Sequence, residues 1–432
     1  MKALLSRLWG AFDGLAGDTI WGGMHDIFAL VASMTSFVLL QQALTRSGYG
    51  ALFGLYGLIG PLGSLTFAGP GLALLQRRMR YGQDQNEILR SFLSMTLAIG
   101  LATSALAIGV AVVFIDLSLL EITLVVAAEL FANATIVVCS RLMHAVVGYP
   151  AMIRVRLVVV VLRLVAVVGL HALGALTIRN LAASYLILYS AYVTWLLVKR
   201  LPAAGYRVAF ERPTLSTART SAVFAVPLAA SSLQQDGDKF ALNAFNYGAE
   251  AGLYGAAYRI VHLGGTPLRV IGAAAFHRFL PDDAVGSSHH LRKSARLTGF
   301  MFLVGTVTAI AIYVALPVLD LLLSDDFAEA RDIVPWLLPF LPLIALSGTP
   351  MNGLLGLGRA KERAAIFLSS SAVSVGLYVA LIPGRGWQGA VAATIGSELY
   401  LAVASWAAIV YYQRLADRER VDEPRAAEPA IG

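Results

Sequence analysis

The sequence predicts an all-α integral membrane protein of about twelve transmembrane helices in two six-helix lobes, and three observations predict it. Long apolar runs recur along the whole chain, Lys and Arg crowd alternate connections between them, and one nine-residue motif returns at a fixed offset. The 432 residues are 58% hydrophobic and 14% charged, with a mean hydropathy of +0.71. Soluble domains carry about 25% charged residues, so this composition argues against that class. A membrane-crossing helix takes roughly 20 apolar residues. Twelve such helices leave room for short connections and for no large soluble domain.

The N-terminal stretch, Met1 to Asp18, does not read as a cleaved signal. Leu4, Leu5, Leu8, Trp9, Phe12 and Leu15 share one helical face, which predicts an interfacial helix over residues 1–20, lying on the cytoplasmic surface. The first lobe, residues 21–200, holds apolar runs at Trp21–Leu44, Leu52–Leu75, Ser91–Phe114, Leu119–Cys139, Ala151–Leu173 and Leu181–Val198. Residues 201–219 are polar, basic and carry Pro202 and Pro213, which suits a cytoplasmic linker. The second lobe, residues 220–412, holds Thr220–Tyr247, Leu253–Phe276, Ala295–Leu323, Ile333–Leu355, Ala364–Ile382 and Gly389–Tyr412. The tail, residues 413–432, is charged and poor in apolar residues, and is expected to be disordered.

Charge placement orients these spans. With the N-terminus in the cytoplasm, 25 of the 33 Lys and Arg residues fall in inner loops, inner helix ends and tails. Only Arg46, Arg179, Arg331 and Arg385 fall in outer loops. That asymmetry predicts a multi-pass protein of the bacterial inner membrane with both termini cytoplasmic. The net charge of +7 is then a topology signal, and no nucleic-acid partner is expected. The single cysteine, Cys139, rules out an intramolecular disulfide and a cysteine metal cluster. No phosphate-binding loop, metal-ligand set, cofactor motif or catalytic constellation is present, so an enzyme is not expected.

The repeat is the most informative feature. Residues 49–57 read YGALFGLYG and residues 247–255 read YGAEAGLYG, matching at seven of nine positions with an offset of 198. The offset carries the first span onto the seventh and the second onto the eighth. Six helices per half start both halves on the same side, so the repeat is parallel.

With the stretch Pro227 to Tyr258 and the GLGRAKER of residues 356–363, this layout resembles the multidrug/oligosaccharidyl-lipid/polysaccharide flippase superfamily. It is most similar to the superfamily's bacterial polysaccharide flippases. The resemblance implies two lobes around a central cavity and transport by alternating access. Its implied cargo is an oligosaccharide on a polyprenyl pyrophosphate, moved from the cytoplasmic to the periplasmic leaflet for O-antigen, capsule or exopolysaccharide assembly. Membrane lipids, the lipid-linked glycan, a glycan polymerase and glycosyltransferases are the partners this reading brings. The alternative is an ion-coupled multidrug exporter of the same superfamily. A membrane-bound glycan polymerase or ligase is disfavoured, because the longest outer connection, Ser324 to Asp332, is too short for a catalytic loop.

An ionisable side chain inside the bilayer costs roughly 2.5–3.5 kcal/mol and so marks a cavity or a partner. In the eighth span, His262 and Arg269 fall within about 20° of each other and Arg259 about 60° from His262. They make a basic stripe suited to a pyrophosphate or to an internal salt-bridge network. Gly264, Gly265 and Pro267 interrupt the same helix and are hinge candidates. Arg163 in the fifth span either lines a cavity or pairs with Glu129 of the fourth. Lys239 in the seventh is a cargo candidate or the partner of Asp236, three residues earlier on the same face. Asp26, Glu129 and Glu398 are the ion-coupling candidates.

Overall fold

The computed structural model describes residues 15–82, 84–212, 214–276, 288–319 and 323–426. Residues 1–14 of the expected interfacial helix lie outside the described residues. Among the described residues the chain is helix and turn, with no strand. The first span is α1 (Leu15–Ala43). The second starts as α2 (Arg46–Gly63), widens into a π-helical turn at Ser64–Ala68 and continues as α3 (Gly69–Tyr81). The third is α4 (Gln85–Phe114). The fourth is α5 (Leu119–Val126), a π-helical turn at Ala127–Asn133, and α6 (Ala134–Val147). Then follow α7 (Tyr149–Ala172), α8 (Ile178–Trp195), α9 (Leu215–Ala244), α10 (Gly248–Gly264) and α11 (Thr266–Phe276). The last spans are α12 (Ser288–Val314), α13 (Ala330–Leu337) with α14 (Phe340–Gly356), α15 (Ala360–Leu381) and α16 (Gly386–Ala426).

These helices fall on the twelve expected spans, and nine runs among the described residues are long and apolar enough to cross a membrane by length and composition. The α9 helix is outside that set because Ser231, Ser232, Gln234, Gln235, Asp236, Asp238 and Lys239 dilute its apolar run. The α10 and α11 helices are outside it because the break at Gly265 leaves each too short. Phe300, Leu303, Val307, Ile310 and Val314 form an exposed stripe along α12. Water would penalise such a stripe, whereas lipid accepts it.

The chain divides into two compact units, Met1–Ala256 with Leu321–Ala328, and Ala257–Asp320 with Glu329–Gly432. The division falls inside α10. Glycine explains it, because α9 and the start of α10 seat directly on α2. A methyl group at Gly50 would overlap the Gly248 carbonyl and the Gly252 amide. One at Gly54 would overlap the Asn243 side chain, and one at Gly57 the Asp236 carbonyl. In return, a methyl at Gly252 would overlap the Arg46 carbonyl. The two copies of the repeated motif therefore pack on each other reciprocally, as small residues permit in a membrane.

The rest of the first unit is built on Leu52, Leu55, Leu89, Phe92, Leu93, Ile122, Val126 and Leu142, all buried. Thr66 in the first π-helical turn donates to Leu62 O (2.8 Å) and meets the Thr103 hydroxyl of α4 at 2.8 Å. The segment expected to be a linker is pinned to this core. Tyr206 Oη donates to Leu142 O (2.8 Å), Arg207 N to Asn86 Oδ1 (2.7 Å) and Glu211 N to Ser94 Oγ (2.8 Å). Burial pushes the Tyr206 hydroxyl up from its ordinary value.

In the second unit α14 packs against α12 and α16, and α15 lies along α16. Met351, Leu354, Leu401 and Ile409 form its buried cluster, and Trp406 Nε1 donates to Leu346 O (2.9 Å). Ser370, Ser371 and Ser374 on α15 and Thr394 and Ser397 on α16 are buried. Small hydroxyl side chains of this kind let two helix backbones approach. The α16 helix runs on to Ala426, so residues 413–426 of the tail expected to be disordered are helical. Arg, Ala, Leu and Glu are strong helix formers, and Gln413 Nε2 donates to Asp417 Oδ1 (3.1 Å) one turn on.

Candidate functional site

The candidate ionisable residues gather in three places. The first lies in the π-helical turn Ala127–Asn133, where one extra residue per turn widens the helix and buries Glu129. Arg163 on α7 donates through Nη2 to both Glu129 oxygens (2.5 and 2.6 Å) and through Nε to Tyr189 Oη (2.5 Å). Asn133 Nδ2 donates to Glu129 Oε2 (3.0 Å) one turn later. The rings of Tyr185 and Tyr189 on α8 stack on each other, and the guanidinium lies 5.7 and 5.8 Å from their centroids. Arg163 is thus neutralised by Glu129 and sheltered by aromatic faces, the ion-pair alternative the sequence left open. Tyr185 and Tyr189 were missed; their spacing of four residues on one helical face was the available signal.

The second cluster sits on α9 in the same unit. Lys239 is buried, and its Nζ lies 3.1 Å from Asp236 Oδ1, 3.1 Å from Asp238 Oδ1 and 2.7 Å from the Gln235 carbonyl. Asp238 is fully buried and accepts from Tyr254 Oη of α10 at 2.5 Å. Asn243 Nδ2 donates to Gly50 O (2.9 Å), tying the cluster to the α2 crossing. The expected Asp236–Lys239 pair is present, and Asp238 joins it as a second acid. The tie to Asp238 comes from the second Tyr of the YGAEAGLYG copy, which the repeat marked without giving its partner.

The third cluster lies in the second unit at the break between α10 and α11. Arg269 Nη1 donates to His262 O (2.9 Å) and lies 3.5 Å from His262 Nε2, while Nη2 donates to Thr266 Oγ1 (2.7 Å). The common face expected for His262 and Arg269 survives the break. Tyr258 stacks on His262, with centroids 5.7 Å apart, and on Phe340 at 5.7 Å. Gly264 presses against Ile312 of α12, and a Cβ at Gly265 would stand 3.2 Å from His262 O. Pro267 lies in the first turn of α11. Arg259 is half-buried on α10.

Two carboxylates lie apart from these clusters. Glu398 on α16 is buried and accepts from Ser347 Oγ of α14 at 3.3 Å. Asp26 on α1 is exposed, with His25 Nδ1 at 3.1 Å. Among the described residues no group of acids, histidines or cysteines is arranged to hold a metal ion.

Solved structures share this architecture over nearly the whole chain. A MATE multidrug transporter, DinF-BH, solved in complex with rhodamine 6G, covers 93% of this chain and 96% of its own, with a TM-score of 0.65 and 14% identity. An inward-facing multidrug resistance MATE family transporter of the MOP superfamily covers 93% and 96%, with a TM-score of 0.61 and 15% identity. An outward-facing one covers 91% and 96%, with a TM-score of 0.57 and 16% identity. The fold is that of MATE transporters. No family model matches the sequence, and no curated protein does.

Proposed function

We propose that the chain is an ion-coupled exporter of amphipathic small molecules, working by alternating access, as its fold neighbours include transporters solved facing in and facing out. One observation carries this reading over an anionic cargo: Arg163 and Lys239 are spent on Glu129, Asp236 and Asp238 within their own unit. Cations already answered by acids offer a pyrophosphate little. A carboxylate buried in a bilayer protein suits proton or sodium coupling, and Glu398 is the first candidate, because Glu129 is buried but paired with Arg163 and Asp26 is exposed.

The second reading, flipping of a polyprenyl-pyrophosphate oligosaccharide from the cytoplasmic to the periplasmic leaflet, draws on Arg259, His262 and Arg269 along α10 and α11. Transport assays separate the two. In proteoliposomes, an imposed proton or sodium gradient should drive rhodamine 6G movement, and Glu398→Gln should uncouple it. Gradient-independent movement of a lipid-linked glycan with no dye transport would replace the first reading with the second.

A further inference from the structure

Arg141 on α6 and Arg156 on α7 flank the tight turn at Gly148, whose φ of +112° suits glycine. They stand seven residues before that turn and eight after it. At 1.5 Å per residue both lie roughly 10–12 Å from the turn, so the two guanidiniums share one level of an antiparallel hairpin. Two positive charges at one level of a hairpin repel each other. Both side chains are half-buried.

Among the described residues neither arginine forms an ion pair. The hydrogen-bond acceptor of Arg141 is the Met152 sulfur at 3.6 Å, a weak one. Its Nε is buried with no acceptor at all. On α3, Gly71 leaves room for the arginine stem, since a Cβ there would stand 2.9 Å from Arg141 Cγ. The surrounding charges do not cancel the pair. Asp26 acts on Arg156 only at longer range and has His25 as its neighbour, while Arg154 adds a third cation, lying over the Trp21 ring at 5.4 Å.

An anion between two like charges relieves their repulsion. Two planar guanidiniums at one level offer the forked donors that match phosphate oxygens. The Lys and Arg pattern assigns this end of the hairpin to the cytoplasmic face, where bilayers present anionic headgroups. We propose that Arg141 and Arg156 together hold the phosphate group of an anionic lipid-like molecule. This inference is independent of the transport reading, because the site needs only a phosphate at the membrane surface. The phosphate comes either from a bulk phospholipid headgroup or from a polyprenyl pyrophosphate.

The test uses the full chain in phosphatidylcholine nanodiscs, titrated separately with phosphatidylglycerol and with farnesyl pyrophosphate, with thermal midpoint and bound ligand by native mass spectrometry as readouts. At least one ligand should bind and raise the midpoint. Arg141→Gln and Arg156→Gln should each weaken it about 10–100-fold, the worth of one charged hydrogen bond, while Arg179→Gln in the first turn of α8 should not. Binding of phosphatidylglycerol alone assigns the site to bulk lipid; tighter binding of farnesyl pyrophosphate assigns it to a pyrophosphate lipid. In pure phosphatidylcholine the two variants should melt no lower than the parent, because each removes a repulsion. If Arg141→Gln does not fold, Arg141→Lys, which keeps the charge and loses the fork, should bind with intermediate affinity. The proposal is overturned if neither ligand binds the parent, if the variants bind as the parent does, or if they only melt lower in both lipids.

Discussion

Arg156 and Arg163 lie two turns apart on α7, and their surroundings are opposite. Arg163 is clamped by both oxygens of Glu129, by Tyr189 Oη and by two stacked tyrosine rings. Arg156 stands at the level of Arg141 in a helical hairpin, with no acid in contact among the described residues. The same residue type on the same helix thus closes an internal network in one case and leaves a charge for an outside partner in the other. What differs is the neighbour. The π-helical turn at Ala127–Asn133 brings a carboxylate to the deeper arginine, and the middle of α6 carries a second cation, Arg141, at the level of the shallower one.

The largest effect expected from this contrast is at Glu129. Glu129→Ala strands Arg163, and should lower unfolding free energy in detergent by about 2–4 kcal/mol, under the full cost of a broken buried pair because the Arg163 side chain keeps 37% exposure. Adding Arg163→Met should restore most of that loss; a double variant as unstable as the single would show that the pair itself holds the fold. Asp238→Asn comes next, at about 2–3 kcal/mol, since it removes one of the two carboxylates beside buried Lys239. Tyr254→Phe removes one hydrogen bond to buried Asp238 and should cost about 1–2 kcal/mol in the same melts.

The smallest effect is expected at Asp84, outside the spans. The backbone amides of Glu87 and Asn86 hold its carboxyl below the usual carboxylate range. Its contribution is therefore present above the unfolded value of about 3.9 and fades as pH falls through the lower folded value. Amide exchange at the start of α4 should quicken in Asp84→Ala at pH 6, and the two proteins should converge at low pH. No difference at pH 6 would mean the cap does not hold that turn.

Much of the fold was legible in residue order. Hydropathy located the helices, and the YGA–GLYG copies marked equivalent places in the two halves without showing that α2 meets α9 and α10 there. A polar, proline-bearing stretch at 201–219 reads as a linker, but Tyr206, Arg207 and Glu211 bond back to the helices beside them. Among the site residues, the pairs within one helix could be read by spacing: Asp236 with Lys239, His262 with Arg269. On other helices, Glu129 could be named for Arg163 as one of two alternatives, but the tyrosine partners could not be read. Tyr189 for Arg163 and Tyr254 for Asp238 are of this kind.

By itself the sequence determined that this is a helical membrane protein and which side chains are charged within it, because apolar length and local spacing are properties of one segment. Only the tertiary structure decided which charges are answered. A buried charge is settled by whatever a second helix brings within about 3 Å; for Arg163 that was a carboxylate, while Arg156 has no carboxylate in contact among the described residues.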